Sequence, residues 1–222
     1  FFIEGDPEAI LIIELGADIQ DKLEVKNKAL LDKLNESGKS YANPILDGSK
    51  MKAVWDLRKA GLGLLSNVKG DAKPVAVIED TSVDFKVLPD YISSFTKMME
   101  KFRQKAVYYA HAGAGELHLR PVLNLKQKKD RIAFRQIAEE TAKLVKQYKG
   151  ALSGEHGDGR VRAEFIPMMI GEHNYNLLKD IKKLWDPNTI FNPGKITDAL
   201  PMDEYLRYEE ENKTPTYNTK FQ

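Results

Sequence analysis

The 222-residue chain contains no cysteine. Within these residues that excludes disulfides, cysteine nucleophiles, thiolate zinc sites and iron–sulfur ligation, and it is compatible with a reducing compartment. An excess of one charge is also missing, with 34 Lys and Arg set against 33 Asp and Glu. A nucleic-acid partner needs a clearly basic face, so none is expected, and the Lys-rich helical stretches read as solvated faces. No apolar run reaches the roughly 18 residues of a membrane span. The N-terminus lacks the basic segment and apolar run of a signal peptide. The opening, FFIEGDPEAILIIELGAD, reads as the middle of a folded protein, and the expectation is a fragment of a longer one.

What is present is a mixture of strand and helix patterns. The Ile-rich run Ala9 to Ala17 suits a buried strand. The segment from Asp18 to Ser37 reads as an amphipathic helix stopped near Gly38, and Ser49 to Leu65 as a second helix with Ser49 as a cap. KPVAVIEDTSV is a strand candidate leading into a helix from about Asp90 to Gln104. AVYYAHAGAGELHLRPVL reads as a hairpin or bent strand pair. A long helix follows, capped by Asp130 and ended by Gly150, then a helix broken at Asp186-Pro187. Without a regular βαβ rhythm, the expected fold class is α+β, a largely antiparallel sheet flanked by helices. The expected domain covers residues 1–197, with 198–222 a polar tail or linker.

Only four histidines exist, and three of them sit in glycine-containing segments. In HAGAGELH, His111 and His118 flank the Gly113–Gly115 link, and a fold-back would let them converge. Glu155, from SGEHG, would complete a set of two nitrogens and one oxygen suited to zinc, with manganese, iron or cobalt chemically acceptable. The plain alternative is two histidines bonded within a sheet and one surface glutamate. His156 follows Glu155, and a glycine-flanked turn can deliver both to one cavity. It is either a general base or a turn residue bonded to nearby backbone. The glycines of GEHGDGR do not have the spacing of a phosphate loop. Asn192, in FNPGKI, either organises its own turn or offers an amide to something flat and polar. Arg58, in VWDLRKAG, is either solvated or grips a carboxylate, and Arg120 shares a strand face with His118.

Taken in order, YYAHAGAGELHLRP, SGEHGDGRVRAEF, DPNTIFNPGKI and LRYEEE resemble the C-terminal domain of FAD-linked oxidases of the vanillyl-alcohol oxidase type. That family includes D-lactate, glycolate and D-2-hydroxyglutarate dehydrogenases, and the motifs look most like its long branch, in which an iron–sulfur domain follows. The resemblance implies the substrate-binding cap of an FAD-dependent D-2-hydroxy acid dehydrogenase. It implies a missing FAD-binding domain upstream, an iron–sulfur cluster only in a missing downstream domain, and an electron acceptor outside the chain. The location it implies is cytoplasmic, with any membrane association peripheral and through that acceptor. By position, it makes His111, His118 and Glu155 metal ligands, His156 the base, Arg58 the grip on the substrate carboxylate, and Asn192 a flavin-facing residue. The chain departs from the GNLHLN of many relatives in having Glu116 and Arg120. Arg120 is therefore expected to meet a second substrate carboxylate, which leaves the exact hydroxy acid open. A non-catalytic partner-binding module and a flavin-independent metallohydrolase are the competing readings.

Overall fold

The charged, helix-favouring segment after Asp18 does form a helix, α1 (Gln20–Ser37), closed by Gly38 in the left-handed conformation at φ 60°. A second, α2 (Ser49–Ser66), starts at the expected serine. These come from a computed structural model that describes residues 2–207. The chain divides into two compact units, Phe1–Gly61 and Leu62–Gln222. The first unit corrects one expectation. Ala9 to Ala17 is not a buried strand: it has no regular structure, and Ile10, Leu11 and Ile13 are exposed. A strand exists only where a neighbour takes up its backbone hydrogen bonds, and apolar content alone supplies no neighbour. Helix α1 has no buried residue either. Trp55 of α2 donates to Glu14 (3.1 Å), and Val54 is the one buried side chain among the described residues of this unit.

The second unit holds the sheet. Its strands are β1 (Lys73–Pro74), β2 (Ile78–Ser82), β3 (Ala106–His111) and β4 (Glu116–Leu123). All three others pair antiparallel with β4. The expected strand KPVAVIEDTSV is thus two shorter pieces, and β2 carries a register irregularity between Ile78 and Thr81. The expected hairpin is β3 and β4, joined by a tight turn at Ala112–Ala114. Gly115 closes that turn at φ 71°, where a Cβ would sit 1.9 Å from the Val83 carbonyl oxygen, so no other residue fits.

Helices α3 (Leu88–Phe102) and α4 (Lys128–Gln147) supply the core, and α5 (Ile166–Ile170) and α6 (Glu172–Trp185) follow. Asp130 does not cap α4 as expected. It lies in the first turn and accepts from the Asn124 amide at 2.7 Å. The alternation of β4 decides what faces what. Leu117, Leu119 and Leu123 join Tyr91, Phe95 and Met99 of α3 and Phe134, Ile137 and Val145 of α4 in one buried cluster. Each such side chain contributes roughly 1.5–3 kcal/mol when fully buried. The apolar face therefore holds the sheet, and the opposite face of β4, with Glu116, His118 and Arg120, is left for polar contacts. Among the described residues no helix is long and apolar enough to cross a membrane. Of the LRYEEE motif, Leu206 and Arg207 are described and the remainder lies outside the described residues.

Candidate metal and proton-transfer site

Antiparallel register places Tyr109 opposite His118, and His111 opposite Glu116. Directly opposed residues share a face of the sheet, so the two histidines of HAGAGELH look the same way. Their ring centroids are 5.5 Å apart, and the Tyr109 ring stacks on His118 at 4.5 Å. The loop after α4 then meets this face. Ser82 and Ala151 form a β-bridge, which delivers Glu155 Oε1 to 3.6 Å from His118 Nε2. The His156 ring stacks on His118 at 5.5 Å, and its Nε2 lies 3.2 Å from the same Glu155 oxygen.

The ligand atoms of His111, His118 and Glu155 all lie within 4.8 Å of one another. Tetrahedral zinc with bonds near 2 Å asks for donor separations of roughly 3.3 Å. The His118–Glu155 pair is already close to that, and the wider separations need only side-chain movement. His118 is buried, and burial, the largest influence, pulls its pKa below the ordinary 6.5 despite Glu79 and Glu155 nearby. A neutral imidazole is the form of histidine that ligates a metal. The donor set fits a divalent ion. Glu79, His118 and His156 are also within ligand distance of one another, but one Glu79 oxygen there is taken by cationic Arg120, which disfavours a second cation.

Beneath the histidines lies a floor of charge. Glu79 Oε1 accepts from Arg120 Nη2 at 2.7 Å and from the Tyr109 hydroxyl at 3.0 Å, and stands 3.4 Å from His118 Nδ1. Burial alone would raise the Glu79 pKa, but those bonds and the Arg120 charge outweigh it and hold it low. Asp80, fully buried, behaves alike: burial pushes it up, and the His156 and Glu155 amides, Ser153 and Arg162 bring it below its ordinary range. Glu116 is the opposite case. Burial, then the Glu155 charge, raises it, and its buried Oε1 has no hydrogen-bond partner among the described residues. Gly154 passes so close that a Cβ there would lie 3.0 Å from that oxygen.

The chain matches the family model "FAD linked oxidases, C-terminal domain" over residues 2–196. The chain belongs to this family. It is 35% identical to a D-2-hydroxyglutarate dehydrogenase of Haemophilus influenzae over 210 residues, covering 91% of this chain and 20% of the relative. To the D-2-hydroxyglutarate dehydrogenase of Escherichia coli it is 31% identical, covering 93% and 21%. A glycolate oxidase subunit GlcD of Bacillus subtilis is 25% identical, with 65% and 30% covered. The chain spans about a fifth of the length of the dehydrogenases it matches.

For an FAD-linked oxidase domain, the arrangement gathers four of the residues expected from sequence: His111, His118, Glu155 and His156. Arg120 is at the same face, but its guanidinium is engaged by Glu79 and its side chain is only 13% exposed. Asn192 stands exposed at φ 46° in the turn after α6, where Asp186 accepts from the Ile190 and Phe191 amides at 2.8 and 2.9 Å. Arg58 is on α2, within the first unit. Sequence reasoning missed Glu79 and Asp80. Their signal was visible, since two adjacent acids inside an apolar strand pattern are rarely buried without a task.

Proposed function

We propose that this chain supplies the substrate-binding and proton-transfer portion of an FAD-dependent D-2-hydroxy acid dehydrogenase of the D-lactate or D-2-hydroxyglutarate class. The observation that carries the reading is the convergence of His118 Nε2 and His156 Nε2 on Glu155 Oε1, at 3.6 and 3.2 Å. His111, His118 and Glu155 would hold a divalent ion, zinc by donor chemistry, which when bound supplies Lewis-acid polarisation of the substrate hydroxyl. His156, half exposed beside these ligands, accepts the hydroxyl proton. FAD contributes the acceptor for the α-hydrogen and its electron pair. The family resemblance assigns Arg58 to the substrate carboxylate and Asn192 to the flavin, each by its motif. The Glu79 ion pair supports a role for Arg120 through Glu79 and His118 more than a direct grip on substrate. In this reading a flavin-binding portion and an electron acceptor complete the reaction, and any iron–sulfur cluster lies outside this cysteine-free chain.

Elemental analysis of the chain tests the ligand set. A bound divalent metal that is lost in His111→Ala is expected, and full activity of the flavin-loaded full-length enzyme after exhaustive chelation would end the metal assignment.

A further inference from the structure

Asp80 has a backbone conformation that an ordinary residue avoids. Its φ is 57°, in the left-handed region, and it sits in the irregularity between Ile78 and Thr81 where β2 carries one residue too many for β4. Asp and Asn tolerate that region better than other side-chain-bearing residues, and an inserted residue of this kind re-aims side chains beside functional sites. Without it, Glu79 and Asp80 would alternate between the two faces of the sheet. With it, Glu79 faces His118 while Asp80 turns to the loop that carries Glu155 and His156.

Nearly every polar atom of Asp80 is spent on that loop. Oδ2 accepts from Ser153 Oγ (2.8 Å), from the Glu155 amide (2.8 Å) and from the His156 amide (2.7 Å). The main-chain oxygen accepts from the Gly154 amide at 2.8 Å. Oδ1 accepts from Arg162, which also donates to the Glu79 and Gly157 main-chain oxygens. In extended backbone, successive amides point to opposite sides and so do successive side chains. Two successive amides converging on one oxygen require a turn, and anionic acceptors favour such concave pairs of N–H groups. That turn is what lets neighbouring residues both approach His118.

We propose that Asp80 is a positioning residue, which folds the loop so that Glu155 and His156 both meet His118, with Arg162 holding its second oxygen. This deepens the reading of the site given above and rests on it for the chemistry, but the folding of the loop is testable without metal or substrate. Asp80→Asn keeps the shape and the tolerance for positive φ and removes the charge that draws the two amides in.

The test uses this chain, with Asp130→Asn as the control, since Asp130 is also a buried carboxylate bonded to a backbone amide. Four histidines make the imidazole region of the NMR spectrum readable residue by residue. In Asp80→Asn, hydrogen-exchange protection of the Glu155 and His156 amides should fall at least tenfold, and the His156 resonances should lose their ring-current shift from His118. His173 should not move, and Asp130→Asn should leave the His156 signals where they are. Cobalt(II) added alone should bind at least tenfold more weakly to Asp80→Asn than to the parent, with a changed ligand-field spectrum. Unchanged amide protection and unchanged His156 signals would overturn the proposal. Loss of protection in Asp80→Asn, alongside a parent chain that binds no cobalt, would support the proposal and overturn the metal assignment instead. Should Asp80→Asn not fold, Ser153→Ala removes one of the three bonds to Oδ2. It should lower protection of the same two amides about threefold, and no change there would also overturn the proposal.

Discussion

Two adjacent pairs of side chains face each other across this site, and they are built oppositely. Glu79 and Asp80 form a buried floor, with 10% and 0% of their side chains exposed, and their charges are met by Arg120 and Arg162. Glu155 and His156 form a rim, each nearly half exposed, bonded through their amides while their side chains stay available. Burying a charge is costly unless it is fully partnered, so the floor is where charge is neutralised. An exposed group can change partners and protonation state cheaply, so the rim is where chemistry can occur. The contrast teaches that ionisable pairs a few ångströms apart can divide the labour, one buried and holding geometry, the other open to a ligand.

Rim and floor should therefore fail in different ways. The largest effect belongs to the rim: His156→Ala in the flavin-loaded full-length enzyme should cut turnover about 10²- to 10⁴-fold with flavin content retained. Near-normal turnover would remove His156 from proton transfer. On the floor, Glu79→Ala leaves the Arg120 guanidinium buried without its carboxylate and should cost about 3–5 kcal/mol in urea unfolding. A cost under about 1 kcal/mol would mean that water enters and the floor is not dry. The smaller partner should matter less, with Tyr109→Phe losing one bond to a charged acceptor and about 1–2 kcal/mol. The rim substitution Glu155→Gln should change stability least, by no more than about 0.5 kcal/mol, while weakening cobalt(II) binding. A Glu155→Gln penalty equal to that of Glu79→Ala would erase the distinction.

Acid sharpens the same comparison. The folded pKa values of Glu79 and Asp80 lie below their ordinary 4.5 and 3.8. The unfolded chain therefore takes up these protons first as pH falls. Their contribution to stability is complete above about pH 5, declines as pH falls through their ordinary values, and is lost below their folded ones. Asp80→Asn should flatten part of that acid limb, and urea midpoints measured between pH 6 and pH 3 will show whether it does.

Much of this was legible in the residues themselves. Gly38 stopped α1, Asp186-Pro187 ended α6, and the β-rich flanks of AVYYAHAGAGELHLRPVL marked β3 and β4, because capping, proline geometry and strand propensity are local physics. The histidines and Glu155 could be nominated from their chemistry and from the family resemblance. The apolar run Ala9 to Ala17 misled because a strand needs a partner, and sequence does not say where the partner is. Arg120 looked free to meet a substrate because its acceptor, Glu79, lies 41 residues away.

The sequence by itself determined which residues could do chemistry, since donor atoms, charge and the absence of cysteine are properties of composition. It also determined most helix ends, since those depend on neighbours within a few residues. Only the tertiary structure decided that Glu155 and His156 both meet His118 rather than point to opposite faces. The reason is physical: the turn that brings them together is drawn in by Asp80, more than seventy residues earlier, and a hydrogen bond over that span exists only once the sheet has formed.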